Sequence, residues 1–337
     1  MNLEKRIDIL AHLGNYLLTD SPDYQTVRQR TYFENKWFLP EYILSAGNAV
    51  AEKMLEKDTL TTFAKNYQVT PHPQLQKRIG IVLAGNIPFV GLHDIICSFL
   101  WGYKTEIKLS SKDTVLIPFL VEFLNSNFPE TQEYISVEER LSGCDAYIAT
   151  GSNNSARYFE YYFGKYPNII RNNKTSIAIL EGDETPEELE QLADDIQLYF
   201  GLGCRNVTQL FVPKHYDFLP LLNALKKYEH YKEHDKYKNN FDYQLTIAIM
   251  NNVYYMTNGS ILLIEHPQPF SPISQLHYQF YEKKEAVLFA LDREKIQCIV
   301  GKGHTPFGSA QQPEITDFAD GIDTMAFLKN CFCSSKN

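Results

Sequence analysis

The sequence predicts an α/β protein: two doubly wound α/β domains behind a helical N-terminal segment. Three observations carry this. Residues 1–66 place apolar and charged residues at helical spacing, as in EYILSAGNAVAEKMLEKDTLTTFAKNY. From residue 79 onward, short apolar runs alternate with helical patterns, the rhythm of a mostly parallel sheet. The 337 residues are enough for two apolar cores.

Taken in order, Pro71 and Pro73 mark the entry into the first sheet. IGIVL at 79–83 reads as a buried strand, and a helix follows Pro88 through Leu92 to Leu100. Thr105 to Leu109 is a second strand and Leu116 to Asn127 a second helix. Asp145 to Ala149 is a third strand, and Ala156 to Phe163 a third helix. The next unit opens with a strand at Ser176 to Leu180. Thr185, Pro186 and Glu188 form an N-terminal cap signal for a helix running to about Phe200. A strand at 207–212 and a helix at 217–229 follow, then a polar, exposed stretch at 230–240. Further strands are expected at 261–264, 287–290 and 296–300. These elements divide the chain into 1–70, 71–176, 177–320 and a C-terminal tail, 321–337.

Composition narrows the function. The chain is 44% apolar and 22% charged, with net charge −9, which argues against nucleic acid or an anionic membrane as the main partner. The most apolar stretch, 79–103, is broken by Asn86, Pro88, His93 and Asp94, so no membrane span is expected. Six unpatterned cysteines and no secretory leader in MNLEKRIDIL imply reduced thiols in a cytoplasmic protein.

The chemistry centres on FGLGCRNVTQLFVP. Cys204 sits in a glycine-rich turn before a strand, where Gly201 and Gly203 permit a tight left-handed path. A thiol there is accessible enough to act as a nucleophile, although a buried structural cysteine is the commoner fate. Three loops follow strands, the usual place for ligands in open α/β sheets. Asn86, in AGNIP, can present its side-chain amide to an oxyanion, or bond its own turn. Lys108, ahead of Ser110, Ser111 and Lys112, can bond a dinucleotide's ribose or phosphate, or be merely solvated. Gly151 and Ser152 precede a helix N-terminus, which favours a phosphate. Neither a G-x-G-x-x-G nor a Walker A loop occurs.

Together these segments resemble the aldehyde dehydrogenase superfamily. GNIP resembles its asparagine-proline loop, IKLSS its lysine-proline-serine segment, ATGS its Gly-Ser segment and GLGC its catalytic cysteine loop. Gln268-Pro269-Phe270-Ser271-Pro272 resembles Glu-x-Phe-Gly-Pro, and Pro306-Phe307-Gly308 a late Pro-Phe-Gly loop. Within the superfamily the chain looks most like the acyl-CoA and acyl-protein thioester reductases of the LuxC type, as does its C-terminal DFADGIDTMAFL. The resemblance implies an aldehyde dehydrogenase-like fold, with an NAD(P)-binding domain at 71–176 and a catalytic domain at 177–320. It implies reduction of an acyl thioester to an aldehyde through acyl-Cys204, with Asn86 as oxyanion donor. Lys108, Ser110, Ser111, Lys112, Gly151, Ser152 and Phe270 would bind the cofactor. Phe307 would line the acyl path, with His304 beside it as a proton carrier.

Departures from the family refine this. Ile170-Arg171-Asn172-Asn173 stands where relatives that make free acids carry Glu-Leu-Gly-Gly, so their water-activating glutamate is replaced by Ile170. That loss fits thioester chemistry, and also an inactive relative. Gln268 replaces the second family glutamate. Ser111, followed by Lys112, stands where NAD-preferring relatives often carry a glutamate, which favours NADPH over NADH. The partners implied are an acyl-CoA or acyl-carrier-protein substrate and a second copy in a homo-oligomer. Alternatives are an acyl-phosphate reductase and a non-reducing acyl-transfer subunit. His230-Tyr231-Lys232-Glu233-His234 fits H-x-x-E-H without a third ligand, and Cys331-Phe332-Cys333 is an incomplete metal site.

Overall fold

A computed structural model describes residues 1–333 and divides into two compact units. One comprises Met1–Asn173 with the stretch from Gln312 onward, the other Lys174–Gln311.

The first unit begins with four helices, α1 (Leu3–Leu18), α2 (Pro22–Glu34), α3 (Pro40–Met54) and α4 (Lys57–Asn66). Asn2 caps α1 by accepting the Lys5 N–H, and Ser21 caps α2 with Pro22 in the first turn. Ile7, Leu10, Leu13 and Leu17 form the buried stripe of α1. The sheet follows as β1 (Gln74–Val82), α5 (Leu92–Trp101), β2 (Tyr103–Lys108), α6 (Leu116–Asn127), β3 (Ile135–Val137), β4 (Ala146–Thr150), α7 (Asn153–Phe163) and β5 (Asn168–Arg171). Its order is β3-β2-β1-β4-β5, all parallel. The winding reverses between β1 and β4, and the crevice outside their carboxyl ends is the expected ligand position.

The second unit runs β6 (Thr175–Ile179), α8 (Pro186–Gln197), β7 (Val207–Pro213), α9 (Leu219–Ala224) and α10 (Asp235–Met250). It continues with β8 (Met256–Thr257), β9 (Leu262–Glu265), β10 (Gln275–Tyr281), α11 (Lys284–Ala290) and β11 (Ile296–Val300). The order is β11-β6-β7-β10-β9-β8, with only β8 antiparallel.

The last helix, α12 (Thr324–Cys333), returns to the first unit. Met325 and Leu328 are buried in that unit's core, and the Tyr103 hydroxyl donates to the Leu328 carbonyl. The stretch read as a tail is thus a packed helix as far as Cys333; 334–337 lie outside the described residues. The second unit ends at Gln311 rather than 320.

Several elements differ from the sequence reading. Residues 287–290 are helical within α11, where Val287 is buried and Phe289 exposed. A four-residue apolar run does not by itself distinguish a strand from a helix. Residues 230–240 are not a uniformly exposed stretch, because Tyr231 and Tyr237 are buried. The helix expected at 217–229 is short, and Leu225–Glu233 continues as a 3-10 turn. β10 (QLHYQFY) went unread because its His and Gln residues mask a strand pattern.

Candidate active site

Cys204 is reached through an unusual turn. The reciprocal Thr185–Glu188 cap starts α8, which ends at Gln197. The chain then passes through three successive left-handed residues, Tyr199 (φ 56°), Phe200 (φ 59°) and Gly201 (φ 72°). Two carry side chains, at a cost of roughly 1 kcal/mol or more each. The buried Phe200 ring is held among those of Tyr231, His234 and Tyr237. The left-handed path expected at Gly201 and Gly203 therefore falls at Gly201 and the two aromatics before it.

Asn206 fixes the peptide on the near side of the thiol. It is fully buried; its Oδ1 accepts the Gly203 N–H at 2.8 Å, and its Nδ2 donates to the carbonyls of Asp195, Ile196 and Leu198. Beyond the thiol, the buried Ser176 hydroxyl donates to the Cys204 carbonyl at 3.0 Å and accepts the Cys298 N–H at 3.2 Å. The peptides on both sides of Cys204 are thus anchored while the residue itself stays half-exposed. Cys97 and Cys144 are buried instead, and desolvation raises their thiols well above the ordinary value, Cys144 to about 12. Burial also raises Cys331. Among the cysteines of the described residues, Cys204 and Cys298 are half-exposed, and Cys204 is the one in the glycine-rich turn.

Two other segments converge on this loop within the second unit. Gln209, Gln279, His277 and Thr208 bond the carbonyls of His266, Pro267, Gln268 and Pro269 in turn. This lays the Phe270 segment beside Thr208, four residues after Cys204. The Phe270 ring is exposed. Burial lowers the imidazole of His277, against the hydrogen bond it makes to the Gln268 carbonyl. On the other side, the Asp195 carboxylate accepts the N–H groups of Gly308 (2.7 Å) and Ala310 (3.0 Å). That fixes the loop carrying the buried Phe307. Burial pushes the Asp195 carboxyl up to about 7, against the pull of those two N–H groups.

His304 lies in the turn after β11, where its N–H donates to the Gly301 carbonyl. His230 lies in the 3-10 turn and His234 caps α10 by accepting the Tyr237 N–H, and no metal-binding cluster exists among the described residues. The Cys333 thiol is outside what is described.

In the first unit, the loops named from sequence follow β1, β2 and β4 at one carboxyl edge of the sheet. Asn86 is half-buried in the loop after β1. Gly85 packs so closely on the next loop that a Cβ there would lie 2.8 Å from Ser110 Oγ and 3.0 Å from Lys112 Cβ. Lys108, Ser111 and Lys112 are exposed. Ser110 Oγ accepts the Lys112 N–H, and Asn35 donates to the Lys112 carbonyl. Ser152 is the N-cap of α7, its hydroxyl accepting the Ser155 N–H. A ligand at Ser152 would therefore use the backbone and the helix dipole more than the hydroxyl.

Beneath this edge lies an ion pair not anticipated from sequence. Arg171, the last residue of β5, donates from both Nη atoms to Asp94 in the first turn of α5, at 2.5 and 2.9 Å. Thr324 of α12 donates to Asp94, and Arg171 Nη1 also reaches Thr150 Oγ1. Both charges are buried, and the guanidinium holds Asp94 below the usual carboxylate range despite desolvation. The Ile170–Asn173 stretch thus ends β5 on a structural cation. Asn206, Ser176 and Asp195 were also missed. The available signal was polar residues in apolar contexts, such as Asp195 three positions after Leu192 on the buried stripe of α8.

The fold is that of the aldehyde dehydrogenases. The chain is similar to the NAD-dependent aldehyde dehydrogenase of Sinorhizobium meliloti, at 12% identity and TM-score 0.64, over 89% of this chain and 70% of that one. It is also similar to aldehyde dehydrogenase KauB of Pseudomonas aeruginosa, at 15% identity and TM-score 0.62, over 87% and 70%. The P. syringae indole-3-acetaldehyde dehydrogenase AldA, solved with NAD+ and IAA, matches at 12% identity and TM-score 0.64, over 87% and 70%. No family model and no curated protein matches the sequence. No helix among the described residues is long and apolar enough to cross a membrane.

Proposed function

We propose that this protein reduces an acyl thioester, carried by CoA or an acyl-carrier protein, to an aldehyde through an acyl-Cys204 intermediate. The observation that carries the reading is the half-exposed Cys204 on a left-handed turn anchored on both sides by Asn206 and Ser176. The Cys204 thiolate attacks the acyl carbonyl, and the carrier thiolate leaves with the electron pair of the broken C–S bond. The Cys204 backbone N–H is an oxyanion donor, and the resemblance implies the Asn86 side-chain amide as a second; losing one such donor raises the barrier by about 3–4 kcal/mol. Reduction of the acyl-enzyme leaves a thiohemiacetal on Cys204, which expels the thiolate and releases the aldehyde. Phe307 lines the acyl path. Ile170 in place of a water-activating glutamate fits an acyl group not destined for hydrolysis.

The donor set at the first unit's carboxyl edge fits a dinucleotide. Two exposed lysines, Lys108 and Lys112, with Ser110 and Ser111 suit anionic groups, and NADPH in particular; the Gly151-Ser152 turn adds a helix N-terminus. Phe270 would face the nicotinamide. When bound, a reduced nicotinamide supplies hydride. The protein would work in the cytoplasm.

Mass spectrometry of Cys204 after incubation with a panel of acyl-CoAs, with and without NADPH, tests this. The expected result is an acyl adduct on Cys204 that NADPH converts to released aldehyde, and Cys204→Ala should lose both while retaining cofactor binding. Turnover by Cys204→Ala overturns the proposal. An adduct indifferent to NADPH marks a non-reducing acyl-transfer protein, and aldehyde formed only from acyl phosphates marks the other substrate class.

A further inference from the structure

We infer that Cys298 is the resolving thiol for Cys204: when a hydroperoxide oxidises Cys204, Cys298 closes a reversible disulfide onto it. The inference rests on the reading of Cys204 as the reactive nucleophile.

The two residues share one hydroxyl. Ser176, fully buried in β6, places its Oγ 3.0 Å from the Cys204 carbonyl oxygen and 3.0 Å from the Cys298 Sγ. The Cys298 sulfur is thus no more than 6.0 Å from the Cys204 carbonyl oxygen. Ser176 has a single hydroxyl proton, which it gives to that carbonyl, so the Cys298 S–H is the donor in the second contact. Cys204 and Cys298 are the two cysteines of the second unit, and both are half-exposed.

The strand around Cys298 is irregular. β11 pairs with β6 at Ile296 and again at Ile299, with a register shift between them. Inside that shift the Cys298 N–H donates to a side chain, Ser176 Oγ, at 3.2 Å. An irregularity of this kind re-aims a side chain. The clamp on Ser176 needs only that N–H, which any residue except proline supplies, so it does not account for a sulfur at position 298. β11 lies at the edge of its sheet, beside β6. It can shift toward the Cys204 turn without breaking a ladder on its other side, and a disulfide needs the two Cα atoms within about 7 Å.

A thiol nucleophilic enough to attack a thioester also attacks a hydroperoxide. The Cys204 thiolate bonds to one peroxide oxygen and the O–O bond breaks. The second oxygen leaves with the electron pair and takes up a proton, as an alcohol or water. Cys204 is then a sulfenic acid, oxidised by two electrons, and the hydroperoxide is reduced by two. The Cys298 sulfur attacks the Cys204 sulfur; the S–S bond forms, the S–O bond breaks, and hydroxide leaves with the Cys298 proton as water. A dithiol restores both thiols. While joined, Cys204 cannot take an acyl group and is shielded from irreversible oxidation to sulfinic acid.

Treatment of the full chain with hydrogen peroxide, then alkylation and peptide mass spectrometry, tests this. The expected product is a peptide pair joined through Cys204 and Cys298, two hydrogens lighter than its parts and absent after dithiothreitol. Wild-type protein should regain iodoacetamide labelling of Cys204 after dithiothreitol. In Cys298→Ser, Cys204 should run on to sulfinic acid and lose that labelling for good. Sulfinic acid at wild-type Cys204 with no joined peptide overturns the inference alone, as does a Cys204 disulfide to Cys97, Cys144 or Cys331 as abundant as that to Cys298. A Cys204 inert to both iodoacetamide and peroxide overturns the inference and the proposed function together. The wild-type peptide pair is read without any variant, so the test stays decisive if Cys298→Ser fails to fold.

Discussion

Asp195 offers a quantitative test of how the candidate site is held together. Its side chain is fully buried and receives two backbone N–H groups from the Phe307 loop, while its own carbonyl accepts from Asn206. Burial is the largest influence on the carboxyl and raises it from 3.8 to about 7; the neighbouring Asp194 adds slightly in the same direction. The folded chain therefore keeps this proton between about pH 4 and 7, where the unfolded chain has lost it. Stability from this group is fully present below the unfolded value and disappears as pH rises through the folded one. The whole interval corresponds to roughly 4 kcal/mol, at no more than about 1.4 kcal/mol per pH unit. Asp195→Asn removes the titration and leaves every other carboxylate in place. The wild-type unfolding free energy minus that of Asp195→Asn should fall by roughly 2 kcal/mol between pH 5 and 7. It should then level off above pH 8. Urea melts of both proteins across that range provide the measurement. A difference that stays flat, or that grows with pH, would show that the buried carboxyl is not protonated in the folded state and refute the reasoning.

The other predictions concern single contacts. Asn206→Ala removes four hydrogen bonds around the Cys204 turn and should cost roughly 2–4 kcal/mol in urea melts. It should also change the rate of iodoacetamide labelling at Cys204, read by peptide mass spectrometry. Arg171→Met leaves Asp94 buried without its cation and should cost about 3–5 kcal/mol, whereas Asp94→Leu/Arg171→Met together should cost far less. Thermal melts of the two variants separate those outcomes. Gly301→Ala places a Cβ 2.5 Å from the Ile179 carbonyl oxygen at φ 138° and should lower stability by about 2 kcal/mol or more. An unshifted denaturation midpoint would mean the β6–β11 edge yields more readily than its geometry implies.

Much of the first unit was legible where its elements are long or sharply bounded, whereas the short strands β3 and β5 went unread. The expected helix at 116–127 agrees with α6, and Pro88 with the strand before it located the loop that carries Asn86. The second unit was less legible. Short apolar runs such as VLFA fit a helix as well as a strand, and β10 hides behind polar side chains whose partners come from elsewhere in the chain. The candidate site shows the same division. Cys204 was named from its glycine-rich turn, Phe270 and Phe307 through the family resemblance, and His304 because it lies near Phe307 in sequence. Asn206, Ser176 and Asp195 carry no local signature, since a buried polar residue is recognisable only once its hydrogen-bond partners are in place.

The sequence by itself determined the alternation of strands and helices, the cap of α8, and the thiol in its glycine-rich turn, because these depend on neighbours a few residues away. Tertiary structure decided the rest. It set the order β3-β2-β1-β4-β5 that brings the three first-unit loops to one edge, and the return of α12 into the first core. It also set the left-handed turn at Tyr199 and Phe200, which no local preference favours. That conformation is unfavourable alone and persists because Asn206, fully buried, bonds chain segments on both sides of it.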